Sequence, residues 1–81
     1  MTITEAKEDT MYAVIEYQNT ADTLNFMSPV YKSTLAEAEQ VFHQILMYAA
    51  VSEVPIHGCM ILDALGNAVR KEVYDHTAVV V

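Results

Sequence analysis

The alternation of apolar and polar side chains begins at residue 11, in the stretch MYAVIEY. This stretch is rich in β-branched and aromatic residues and contains no Gly or Pro, which predicts a β-strand over residues 11–17. Side chains alternate between the two faces of a strand, and here one face is apolar throughout. We therefore expect that face to lie on the core. It carries Met11, Ala13, Ile15 and Tyr17.

Residues 18–23 (QNTADT) have the composition of a turn. The next stretch, LNFMSPVY over residues 24–31, is ambiguous, and its partial alternation favours a second strand antiparallel to the first. Pro29 has no N–H to donate to a sheet. We expect the strand to end near Pro29 or to lie at a sheet edge there.

A helix is indicated from Thr34 onward. Thr34 and Glu37 have the spacing of a capping box, in which the threonine accepts from the amide of Glu37 and the glutamate reaches back to the amide of Thr34. Apolar residues then recur at steps of three and four, which predicts one buried stripe. The expected exit is at Val54-Pro55, because the residue before a proline is pushed out of helical geometry. The stripe consists of Leu35, Ala38, Val41, Phe42, Ile45 and Ala49.

The helix pattern changes after Gln44, because residues 46–51 (LMYAAV) are apolar on every side. A helix turn of this kind has to be covered all round. A second apolar stretch, residues 77–81, ends in three valines, and exposed apolar segments are templates for pairing. We expect these parts to form an interface, with Tyr12 or Tyr74 as further members. The predicted interface residues are Met47, Tyr48, Val51, Val79, Val80 and Val81.

Residues 57–74 predict a β-hairpin, with strands over 59–62 and 68–74. Gly66 is the natural residue for a positive φ in the connecting turn. In the returning strand, Val69, Lys71 and Val73 share a face, and its two valines predict that it faces the core.

These elements predict one α+β domain: a small antiparallel sheet of three or four strands with one helix packed on one face, in the order ββαββ or βαββ. The predicted domain covers residues 11–81. Residues 1–10 are polar and acidic, and we expect a flexible acidic leader there rather than a signal peptide.

The net charge and the length of the apolar runs disfavour nucleic acid and membrane as partners. Eleven acidic residues against four basic ones give a formal charge of −7, which disfavours DNA and RNA as partners. No apolar run approaches the ~18 residues that a membrane-spanning helix needs. We therefore expect a cytoplasmic protein that contacts neither nucleic acid nor membrane.

The sequence offers little for catalysis or metal binding. Its single cysteine, Cys59, lies near His57 and Met60, but no second cysteine or paired histidine completes a metal-ligand spacing. The only glycines, Gly58 and Gly66, are isolated, so neither common phosphate-binding loop is present. We predict no catalytic residue, no metal and no cofactor, and favour a protein that is not an enzyme.

Two functions remain. The first is a non-enzymatic interaction or adaptor module that acts as a homo-oligomer, because a chain of this size has a marginal core and much apolar surface. The alternative is a small-molecule-binding protein or small enzyme with a pocket between helix and sheet or at a dimer seam. The candidate pocket residues are Tyr17, His43, Cys59 and His76.

Overall fold

A computed structural model describes residues 11–20 and 22–77 of the chain. These residues form five strands and one helix, so the predicted α+β class with an antiparallel sheet is confirmed. The predictions for residues 1–10 and for Val79, Val80 and Val81 fall outside the described residues. The elements are β1 (Tyr12–Asn19), β2 (Leu24–Phe26), β3 (Val30–Lys32), α1 (Leu35–Ala49), β4 (Ile56–Leu62) and β5 (Ala68–Asp75).

The sheet has the order β2-β1-β4-β5, and β3 pairs with β1 beside β2. β2 pairs with the end of β1 and β3 with its start, both antiparallel, so the two short strands share one edge of β1. The single strand predicted over residues 24–31 is therefore divided, and the sheet has five strands instead of three or four. The division includes Pro29, which cannot donate to β1. Met27 restores one contact there, since its N–H donates to Glu16 O at 2.8 Å.

The core lies between α1 and the face of β1 and β4 that carries Val14 and Ile61. Phe42 is its largest fully buried side chain, at 1 % exposure. Cys59 is buried in the same cluster, as small free cysteines often are. Ala38 and Leu46 complete the cluster from the helix.

The predicted core face of β1 is wrong. Val14 is buried under α1, so by alternation Ala13, Ile15 and Tyr17 point to the opposite side, and Met11 is 37 % exposed. The covered face also carries a carboxylate, Glu16, which a pattern based on hydrophobicity disfavours.

The predicted core face of β5 is also wrong, because every residue of this strand is exposed. Arg70 lies on the helix side, where it forms an ion pair with Glu39 of α1. Val73 pairs with Gly58, and its side chain lies on the side of the sheet that faces away from the helix. The reason lies in the strand's place at the sheet edge, beyond the cover that one helix provides.

The helix begins as predicted. Thr34 is the N-cap and its hydroxyl accepts from the Glu37 amide at 3.2 Å. The reciprocal contact is different, since the Glu37 carboxylate accepts from the Ser33 hydroxyl at 3.3 Å instead of from the Thr34 amide. The helix ends at Ala49, earlier than the Val54-Pro55 exit predicts.

The end of α1 has hydrogen bonds both to the turn that follows it and to a distant part of the chain. The Ala49 carbonyl accepts from the Ser52 amide at 3.2 Å and from His76 Nε2 at 2.9 Å, so a local turn and a distant residue both bind the helix end. The His76 amide also donates to Pro55 O at 2.7 Å. These contacts join the end of β5 to the end of the helix.

The hairpin of β4 and β5 is confirmed around Gly66, which has φ +86°. The Asp63 carboxylate accepts from the amides of Leu65 and Asn67, both at 2.9 Å. A register shift beside Leu62 marks a β-bulge near the start of β5. No helix within the described ranges is long and apolar enough to cross a membrane.

Candidate functional site

The side of the sheet opposite Val14 and Ile61 is a broad apolar surface, which we call the open face. Its outer members are strongly exposed, with Leu24 at 54 %, Phe26 at 58 % and Val73 at 45 %. Strand alternation and the pairing registers define its members. They are Ala13, Ile15, Tyr17, Leu24, Phe26, Tyr31, Ile56, Met60, Leu62 and Val73.

The open face is large for a chain of 81 residues. Seven or eight residues per strand and four strand positions give a surface of roughly 25 by 19 Å, or about 500 Å² in projection. The largest apolar patch on a typical monomer covers about 300–600 Å² and is often functional. The open face is therefore comparable in size with the largest apolar patch of a typical monomer, which is often a functional surface.

The Tyr17 ring lies over Gly58 near the centre of this surface. Gly58 stands opposite Tyr17, and a Cβ atom at Gly58 would lie 2.5 Å from Tyr17 Cζ and 2.9 Å from Glu72 O. Only a glycine therefore allows the Tyr17 ring to lie across β4. On its other side the ring packs near Phe26, with centroids 6.0 Å apart. Burial raises the pKa of the Tyr17 hydroxyl, and the nearby Cys59 raises it further.

The open face is nearly free of charge. Among the described residues it carries only Lys71 and Asp75, both on the edge strand β5. The other described acidic residues lie on α1, on the helix side of the sheet or in connecting segments. Most acidic residues of the described ranges thus lie away from the open face.

A partly buried polar pair, with His57 buried and Glu16 partly exposed, lies on the covered side of the sheet. His57 Nε2 is 2.5 Å from Glu16 Oε2, and His57 is only 5 % exposed. The contact explains how a carboxylate is tolerated on the covered face of β1, because buried polar groups need a hydrogen-bond partner. His57 Nδ1 is buried and has no hydrogen-bond partner among residues 11–20 and 22–77. The sequence contains both residues, but only the antiparallel register brings them together.

Cys59 lies beside this pair but is not set up as a nucleophile. It stands opposite Glu16 in the pairing of β1 and β4. Burial, followed by the charge of Glu16, raises its thiol pKa to about 12. The reactive form of a cysteine is the thiolate. Within the described residues, no group of three or more His, Cys, Asp or Glu side chains is placed to hold a metal ion.

The four residues predicted to line a pocket do not meet. Tyr17 lies on the open face, whereas Cys59 is buried on the other side of the sheet. His76 contacts the end of α1, and its ring stacks on Tyr74 with centroids 6.1 Å apart. His43 is exposed on the helix.

Two grooves flank α1. One, of about 250 Å³, lies between α1 and β5 and contains His43, with Phe42 and Tyr74 among its other lining residues. Arg70 in this groove is held by Glu39, whose Oε2 accepts from Arg70 Nε at 2.9 Å and Nη2 at 2.8 Å. The other groove, of about 390 Å³, is lined by Lys32, Glu37, Gln40, Val41 and Gln44.

The described part of the predicted interface lies at the end of α1. Met47, Tyr48 and Val51 are 60 %, 67 % and 81 % exposed. We call these three residues the helix-end patch. It is separate from the open face, which the prediction did not identify as the larger apolar surface.

No protein-family model, curated protein or solved structure matches this chain. The functional proposal therefore rests on the geometry of the site, which is the broad and nearly uncharged open face of an α+β domain.

Proposed function

We propose that this chain is a non-enzymatic interaction module that acts as a homo-oligomer, and that the open face is buried against a second copy. The observation that carries the proposal is the open face itself, a mostly apolar sheet face of about 500 Å² in projection. One helix packed on one face of the sheet leaves the other face to a partner. A small domain buries little of its surface alone, and symmetric pairing is the common solution.

The charge distribution favours a second copy over a basic partner. A basic protein would be drawn to the acidic surface, such as the exposed start of α1 with Glu37. The open face offers such a partner only Asp75, with Lys71 on the same strand. Two copies meeting at this face keep most of the described acidic residues on their outer sides, so repulsion between those residues is small there.

The helix-end patch supplies the adaptor part of the proposal. It lies on the helix, so self-association through the open face leaves Tyr48 available to another macromolecule. Tyr and Met are enriched at protein interfaces.

Molar mass in solution tests the proposal. Light scattering behind size exclusion should give at least twice the 9.0 kDa of one chain. Tyr48→Asp should fold and keep that mass, because Tyr48 is 67 % exposed and not on the open face. A mass of 9.0 kDa at every concentration would overturn the proposal. A fall in mass for Tyr48→Asp alone would move the self-interface to the helix-end patch.

The groove between α1 and β5 favours a second candidate function, the binding of a small molecule. It places Phe42 and the polar ring of His43 at one cleft between helix and sheet, which is a common position for ligands. A tight ligand at a hundredfold excess over its dissociation constant stabilises a fold by about 3 kcal/mol. Thermal melting against metabolites and metal ions should then show a shift that His43→Ala abolishes and the neighbouring Gln44→Ala keeps. A flat panel counts against this candidate.

A further inference from the structure

The edge strand β5 presents a second surface for a copy of this chain. Among the described residues it pairs only with β4, and its eight residues contain no proline. The opposite edge of the sheet is interrupted between β2 and β3. An edge strand leaves backbone N–H and C=O groups unpaired, which makes it a template for another strand.

We infer that β5 pairs antiparallel with β5 of a second copy, around a twofold axis that passes through Val73. This inference rests on the proposed function in one respect, since the partner is again a second copy. It uses a different surface, the backbone edge, and so it can fail independently of the open face.

The charges along β5 select this register. A twofold axis perpendicular to the sheet places the residue on the axis opposite itself. An axis at Lys71 sets two ammonium groups opposite each other, and an axis at Glu72 sets two carboxylates opposite each other, both of which are unfavourable. An axis at Val73 instead sets Lys71 opposite Asp75 of the second copy, twice by symmetry. It also keeps residues 71–75 paired, whereas an axis at Tyr74 pairs only three strand residues.

The side-chain faces agree with this register. Lys71, Val73 and Asp75 share the open side of the sheet, while Glu72 and Tyr74 share the helix side. Val73 would meet Val73 of the second copy, and Glu72 would stand opposite Tyr74. The joined sheets would carry one continuous open face of double width. Packing two such sheets through their open faces closes the assembly at four copies with dihedral symmetry.

Symmetric disulfide formation tests the register. Residues directly opposite in an antiparallel pair have Cα atoms about 4.5–5.5 Å apart, which a disulfide spans. In Val73→Cys the new thiols meet at the axis. In the control, Lys71→Cys, they are about 14 Å apart, from four residues at about 3.4 Å each. The native Cys59 does not interfere because it is buried.

Under mild oxidation we expect Val73→Cys to form a cross-linked dimer at least about tenfold faster than Lys71→Cys. The difference should persist when Ile15→Asp is added to both, because Ile15 lies at the centre of the open face. Equal rates, or loss of the Val73 cross-link in the Ile15→Asp background, would overturn the edge pairing. A failure of the open-face proposal can be told apart from a failure of the edge pairing. If the open-face proposal fails, the molar mass of Ile15→Asp equals that of the unsubstituted chain.

Exchanging the charges of Lys71 and Asp75 gives a second test of the register, with the only added cysteine still at residue 73. Lys71→Glu added to Val73→Cys should slow the cross-link several-fold, because two carboxylates would then stand opposite each other. Adding Asp75→Lys should restore the rate. A cross-linking rate that neither substitution alters would contradict the proposed register.

Discussion

Replacing Phe42 with alanine is expected to lower the free energy of unfolding by about 3–5 kcal/mol. Phe42 is 1 % exposed and lies in the core cluster with Val14 and Ile61. Truncation removes buried apolar surface and leaves a cavity that a two-layer core fills only in part. Native domains have total stabilities of about 5–15 kcal/mol, so this loss removes a large part of the free energy of unfolding.

Urea titration followed by far-ultraviolet circular dichroism measures the effect. Phe42→Leu is the matched control. Its free energy of unfolding should fall much less, because leucine keeps most of the buried apolar carbon atoms. A midpoint for Phe42→Ala equal to that of the unsubstituted chain would contradict the position of α1. It would mean that a different stripe of the helix faces the sheet.

The helix and the hairpin could be predicted because their signals are local. The N-cap uses residues only three apart, Thr34 and Glu37, and the turn needs one residue with a positive φ, Gly66. The early end of the helix could not be predicted in this way. The helix end also has a contact that no local pattern contains, in which His76 donates to Ala49 O across 27 positions of sequence.

The covered face of β1 shows where a local pattern fails. Hydrophobicity alone favours the face with Ile15, but α1 covers the face with Val14 and Glu16. The neighbouring strand β4 is apolar on both sides, with Ile61 on one and Met60 on the other, so it does not decide the choice. What makes the covered face viable is the pairing of Glu16 with His57, and that contact depends on the register of two distant strands.

This difference also explains why the sequence pattern did not indicate the open face. The sequence predicted an exposed apolar region, and it located that region at the helix end because residues 46–51 lack a polar side. In the structure Leu46 of that segment is buried, while Tyr48 is exposed. The larger apolar surface is the face of β1 that the prediction had assigned to the core.

Replacing Ile15 with aspartate is expected to raise the dissociation constant of the open-face contact by about a thousandfold or more. Ile15 stands opposite Met60 near the middle of the open face. Burial there would leave a carboxylate without a partner, at a cost of several kcal/mol, and twofold symmetry applies the cost twice. Each 1.4 kcal/mol changes a binding constant by about tenfold.

Light scattering over a concentration series should show that Ile15→Asp has half the molar mass of the unsubstituted chain. Leu65→Asp is the control, because it also puts a carboxylate in place of an exposed apolar residue. Leu65 is 85 % exposed in the turn between β4 and β5 and lies off the open face, so its mass should not change. Circular dichroism checks that both variants fold, and Met60→Lys serves if Ile15→Asp does not. A folded Ile15→Asp with undiminished mass would show that copies meet elsewhere, because a carboxylate in the middle of an apolar contact has no means of keeping its solvation.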